Sequence, residues 1–176
     1  MTDLTSSQKA QRAARRLIPR RRGSWRALRH LVPQSGDLDL LVAAVSARRG
    51  RPIRVLACEL EDEAPSGLWL QTVDVDYIVH AAGVAAEHRR VVVCHELAHM
   101  LLEHGPREGE IHASGVAPSI DPAVAARFFT RHGYEDAAET AAESLATQLA
   151  TELARRAAAR HAEAALAGDT ISARLR

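Results

Sequence analysis

Val91-Val92-Val93-Cys94-His95-Glu96-Leu97-Ala98-His99-Met100-Leu101-Leu102 decides how this chain folds. The segment is apolar nearly all round, the pattern of a helix buried on every side. Within it His95 and His99 stand four residues apart, so on a helix their imidazoles share one face and can grip one metal ion. Glu96 sits one step round, where its carboxylate can take a proton from a metal-activated water. Polar groups on a buried helix are costly without partners. A metal supplies partners for both imidazoles, whereas two surface histidines would not stand in so apolar a context.

The pattern His-Glu-x-x-His predicts zinc, and zinc catalysis needs a third protein ligand and an open fourth position. A metzincin continuation would have Gly at position 102 and His at position 105, where this chain has Leu102 and Gly105. The third ligand is therefore expected further on, among the acids of Tyr134-Glu135-Asp136-Ala137-Ala138-Glu139-Thr140-Ala141-Ala142-Glu143-Ser144-Leu145-Ala146. That run opens a long helix, with Asp136 as N-cap and Glu139 three residues later, as in a capping box. Ala138, Ala142, Leu145 and Leu149 form its apolar stripe. Glu139 lies at the edge of the stripe and Glu143 projects further toward solvent. Ala142 and Ala146 are small enough to let the two helices approach closely. Glu139 is the preferred third ligand, Glu143 the second choice and Glu135 the third; the competing role for Glu139 is the ordinary capping box. With zinc held by His95, His99 and Glu139, the expected reaction is hydrolysis of a peptide bond, with Glu96 as general base and then proton donor to the leaving amine.

The segment from His88-Arg89-Arg90 through the buried helix to Leu102 resembles the ImmA/IrrE family of small bacterial zinc metallopeptidases. Glu139-Thr140-Ala141-Ala142-Glu143-Ser144-Leu145-Ala146 looks like that family's second block, and the family's ligand falls on Glu139. The likeness spans roughly residues 35 to 155. Ala98 stands where the family usually has Gly, Ala141 where it often has an acid, and the Met-Pro that often closes the second block is missing. The resemblance implies regulatory proteolysis: cleavage or inactivation of a helix-turn-helix transcriptional repressor. Some members are expected to act by binding a partner more than by cutting it, so a non-catalytic regulatory or toxin–antitoxin-type protein is the alternative.

At 176 residues the chain is long enough for one domain with a real core, and its net charge is +1. No apolar run approaches membrane-spanning length, and no apolar h-region follows the N-terminal charges, so neither a membrane span nor a signal peptide is expected. Cys58 and Cys94 do not make a disulfide framework, which agrees with a cytoplasmic, reduced location. Cys94 points about a quarter turn from His95 and is read as a core residue. Charge is concentrated at the N-terminus: Lys9, Arg12, Arg15, Arg16, Arg20, Arg21, Arg22, Arg26 and Arg29, with Asp3 the acid near them. A solvated leader is favoured over a nucleic-acid-contacting arm, because the run has no interleaved aromatics and no DNA-binding motif. Trp25, Leu28 and Leu31 are spaced to anchor a short helix.

From Asp37, a helix with Leu38, Leu41, Val42 and Val45 on one face is predicted to end near Gly50. Strands follow at Ile53 to Ala57, Leu68 to Thr72 and Val75 to His80. Val75 to His80 is the candidate edge strand for holding an extended peptide by β-augmentation, against a plain core-strand role. Residues 104 to 120 read as a loop. Asp121-Pro122 opens a helix carrying Phe128 and Phe129 and ending at Gly133. The last helix is expected from about Asp136 to Leu166. His88 could line the cleft; His104, His112 and Tyr134 are unassigned candidates for stabilising an anionic intermediate. The architecture expected is α+β: a small three-stranded sheet packed on the buried helix and further helices, a minimal zincin-like metallopeptidase. Its divisions are a basic extension over 1–34, the metallopeptidase domain over 35–167 and a tail over 168–176.

Overall fold

The computed structural model describes residues 24–59, 66–72, 74–104, 129–130 and 136–174. In order these form helix α1 (Trp25–Leu28), a 3-10 turn (Arg29–Leu31), α2 (Leu38–Arg49), β1 (Ile53–Cys58), β2 (Gly67–Gln71), β3 (Asp76–Ala81), α3 (Ala86–Leu101), β4 (Phe129–Thr130) and α4 (Asp136–Arg174). The fold is mixed α+β. Most of the basic N-terminal run, the predicted helix start at Asp121, and the residues Glu135, His112, Tyr134 and Phe128 lie outside the described residues.

Local chemistry accounts for the helix limits. Asp37 caps α2, its carboxylate accepting from the Asp39 and Leu40 amides at 2.8 and 3.1 Å. Gly50 ends α2 in the left-handed conformation (φ 65°), which glycine adopts without steric cost. α4 buries Ala142, Leu145, Ala146, Leu149 and Leu153, a stripe with helical spacing that lies against α3. It continues to Arg174, beyond the end expected near Leu166. Gly168 is the one strong helix-weakening residue in that stretch, and a single glycine costs only about 1 kcal/mol relative to alanine.

The strand order is β1-β3-β2-β4. β1 and β3 are parallel, with Val55 opposite Ile78, and β2 runs antiparallel to β3, with Trp69 opposite Ile78. β3 is thus an interior strand, and the expectation that Val75 to His80 forms an edge is corrected. Its sequence agrees with this position: Asp76, Ile78, Val79 and His80 are all buried, as in a strand covered on both faces. A second correction concerns Phe129. It belongs to the two-residue strand β4, paired antiparallel to Leu70 and Gln71 of β2, rather than to a helix. β-Propensity in Phe129-Thr130 and a partner edge on β2 favour a strand at these two residues.

Alternation along the strands sorts their side chains between two clusters. Trp69 and Ile78 join Leu41, Val45, Val93, Leu97, Met100, Leu145 and Leu149 on the helical side. Leu68, Leu70, Val79 and Cys58 form a separate cluster on the other. The helical core also takes in Leu28 and Val32, so it reaches back N-terminal of residue 35. Among the described residues, no helix is long and apolar enough to cross a membrane.

Candidate metal centre

α3 carries both histidines, and its burial follows its sequence. Val92, Val93, Cys94, Glu96, Leu97, Ala98, His99, Met100 and Leu101 are buried. Val91 is exposed, because its side of the helix borders an open cleft. The C-terminal end of α3 is held by charge. Arg49 donates to the Met100 carbonyl at 3.0 Å and to Asp76 at 2.9 Å. Arg51 meets the other oxygen of the fully buried Asp76 at 3.0 Å. Arg49 also lies over the Trp69 ring, 5.1 Å from its centroid. Nothing in the local sequence announces this cluster, since its members come from α2, the turn after it, β2, β3 and the end of α3.

His95 Nε2 and His99 Nε2 are 3.0 Å apart, and Glu139 Oε2 lies 3.6 Å from each. The three residues form a group that could hold a metal ion. Their ligand atoms make a nearly equilateral triangle whose centre is about 2.0 Å from each corner, the length of a Zn–N or Zn–O bond. The donor chemistry, two imidazoles and one carboxylate, fits a borderline-soft dication. Glu139 reaches the histidines because Ala142 and Ala146, one and two turns on, are buried between α4 and α3 and keep the helices close. Glu143 lines the same cleft but is not among the three, being one turn further along α4 and exposed.

The site is open on one side. His99 is 1% exposed, but the His95 side chain is 32% and Glu139 42% exposed. Both face a cleft of about 520 Å³ between α3 and α4. Glu96 and His88 line it too, with Val91 and Val92 on one wall, Ala146, Thr147, Ala150 and Thr151 on the other, and Ser66 and Gly67 at the start of β2. Gly67 is required by close approach. A Cβ there would overlap Val92 and lie 3.5 Å from Glu96 Oε1. Glycine thus lets β2 pass directly over the helix beside Glu96.

Cys94, next to His95 in sequence, faces the core, and burial pushes its thiol up to about 12. It is not among the residues whose ligand atoms converge. Cys58 is also buried and also raised by burial. His104, one of several unassigned histidines in the sequence, is brought against the site, its Nδ1 3.0 Å from His99 Nδ1.

No family model, curated protein or solved structure matches the chain.

Proposed function

We propose that this chain is a zinc-dependent metallo-endopeptidase of the ImmA/IrrE-like, zincin-like kind, acting in the cytoplasm on a regulatory protein partner. The observation that carries the reading is the triangle of His95, His99 and Glu139 at zinc-ligand spacing, with Glu96 on the same helix facing the same open cleft. A helix-turn-helix repressor is the substrate class implied by the family resemblance of the His88–Leu102 segment.

His95, His99 and Glu139 would hold the ion. Zinc bound there would polarise a carbonyl oxygen and lower the pKa of water. Glu96 moves the proton: it accepts one from the attacking water as the C–O bond forms, and delivers it to the nitrogen as the C–N bond breaks. Its low exposure of 8%, in the cleft that His95 and Glu139 also line, limits competition from bulk water. The partial exposure of His95 and Glu139 supports catalysis over a closed structural site or a binding-only role, since a catalytic zinc keeps one position for water or substrate.

β2 borders the cleft at its first residue. Along one side it pairs with β3, and on the other it pairs with β4 only at Leu70 and Gln71. Gly67, its first residue, passes beside Glu96.

The test is metal content followed by turnover. The purified protein should carry about one zinc per chain, and His95→Ala should lose it. Glu96→Gln should keep the zinc while cleavage of a helix-turn-helix repressor falls by about 10³-fold or more. Wild-type protein that takes up no zinc, or Glu96→Gln that still cleaves, refutes the proposal.

A further inference from the structure

We propose that His104 is a positioning residue for His99: it accepts the His99 Nδ1 proton and so turns the Nε2 lone pair toward the metal position. The inference rests on the reading of His95, His99 and Glu139 as ligands and adds a residue to it.

His104 follows His99 by five positions. On a continuing helix it would stand about 140° round the axis, and the two rings could not meet. The chain does not continue. The Glu103 amide donates to the Met100 carbonyl at 3.3 Å, and the His104 amide donates to the His99 carbonyl at 3.1 Å. This is a Schellman turn, whose pivot is normally glycine. Here the pivot is Glu103 with φ 56°, the single non-glycine residue at positive φ among those described. That conformation is disfavoured for a residue that carries a side chain. Its consequence is that the His104 ring folds back on its own helix. The two Nδ1 atoms come to 3.0 Å, with ring centroids 5.1 Å apart and planes inclined at 65°.

Two nitrogens at 3.0 Å share one proton, and the rest of the site decides which carries it. His99 Nε2 is 3.0 Å from His95 Nε2 and 3.6 Å from Glu139. When both Nε2 atoms are ligands, neither carries a proton. The single proton of neutral His99 then sits on Nδ1 and points at His104, which must accept with its own Nδ1 and keep its proton on Nε2. The opposite arrangement, with His104 donating, places the His99 proton on Nε2 and blocks the lone pair the metal needs. Ligating histidines ordinarily hand this proton to a carboxylate or carbonyl, which fixes tautomer and ring angle. Here a second imidazole does so, and the 1% exposure of His99 leaves little access for water as a substitute.

The test uses the full chain and zinc itself. Zinc affinity is measured by competition with a chromophoric chelator for wild type, His104→Leu and His104→Asn, which have nearly the same shape. Asparagine offers an oxygen close to the Nδ1 position; leucine offers no acceptor. His104→Leu should bind about 10- to 100-fold more weakly, and His104→Asn should recover most of that loss. In zinc-loaded wild type, nitrogen-15 NMR should show a proton on His99 Nδ1 with coupling across the hydrogen bond to His104 Nδ1. Equal affinity of wild type and His104→Leu overturns the proposal. So does an equal loss in both variants, which would mark a packing role. Should His104→Leu fail to fold, the wild-type spectrum decides, and absence of the Nδ1 proton or of the coupling overturns it. Wild type that binds no zinc overturns the metallopeptidase reading itself, and this inference with it.

Discussion

The two ends of helix α3 are built differently. From Glu96 to Leu101 the helix is buried, its last carbonyls are taken by Arg49, Glu103 and His104, and His99 is closed in. From His88 to His95 one side faces an open cleft, with Val91 exposed and His95 partly so. One histidine of the candidate site is thus an anchor and the other an entry. The contrast has a physical reason: a metal site must be rigid to select geometry, yet a catalytic one must admit substrate, and one helix can do both only if its ends differ.

The largest effect is expected at the closed end. Asp76→Ala leaves two arginine side chains facing a buried position with no carboxylate, and should destabilise by about 3–5 kcal/mol. Urea unfolding of the metal-free protein measures it; a loss under 1 kcal/mol would mean that the Arg49–Asp76–Arg51 cluster does not hold this end. Next comes the contrast between the ligands, again without metal. His99→Ala opens a hole in the core and should cost about 2–4 kcal/mol. His95→Ala, at the open end, should stay within about 1 kcal/mol of wild type, although both variants lose the ion. Equal destabilisation would erase the distinction drawn here.

The smallest effect lies on the far wall, along α4. Arg155 and Arg156 hydrogen-bond the Glu152 carboxylate and hold it down to about 2. A folded-state value below the unfolded one means stability that is present above about pH 4.5 and lost as pH falls toward 2. The group is near the surface, so solvent screening keeps the effect below about 1 kcal/mol. Glu152→Gln should remove that part of the acid dependence. Arg156 also donates to the Val32 carbonyl, so a larger change would show that α4 depends on this bridge to the N-terminal turn.

Much of this was legible in the chain. The apolar run around His95 and His99 specified a buried helix, Asp37 and Gly50 marked the limits of α2, and alternation placed three strands to within a residue or two. Those are local properties, set by side-chain periodicity and by which backbones tolerate a cap or a positive φ. Local period also favoured Glu139, at the edge of the apolar stripe of one later helix, over Glu143 and Glu135 as the partner of the two histidines.

Tertiary structure decided the rest, because the remaining questions turned on distances between segments far apart in sequence. Glu139 rather than Glu143 meets the histidines because of where α4 lies along α3, with Glu143 one turn further on. β3 is interior because β1 and β2 both pair with it, whereas its composition suits an edge as well as a centre. Arg49, Arg51 and Asp76 meet only when α2, β3 and α3 are assembled. His104 reaches His99 only because Glu103 takes a conformation that its side chain disfavours. The residue types able to hold a metal are a property of the sequence; their convergence on one point, and the contact between His104 and His99, come from the packing.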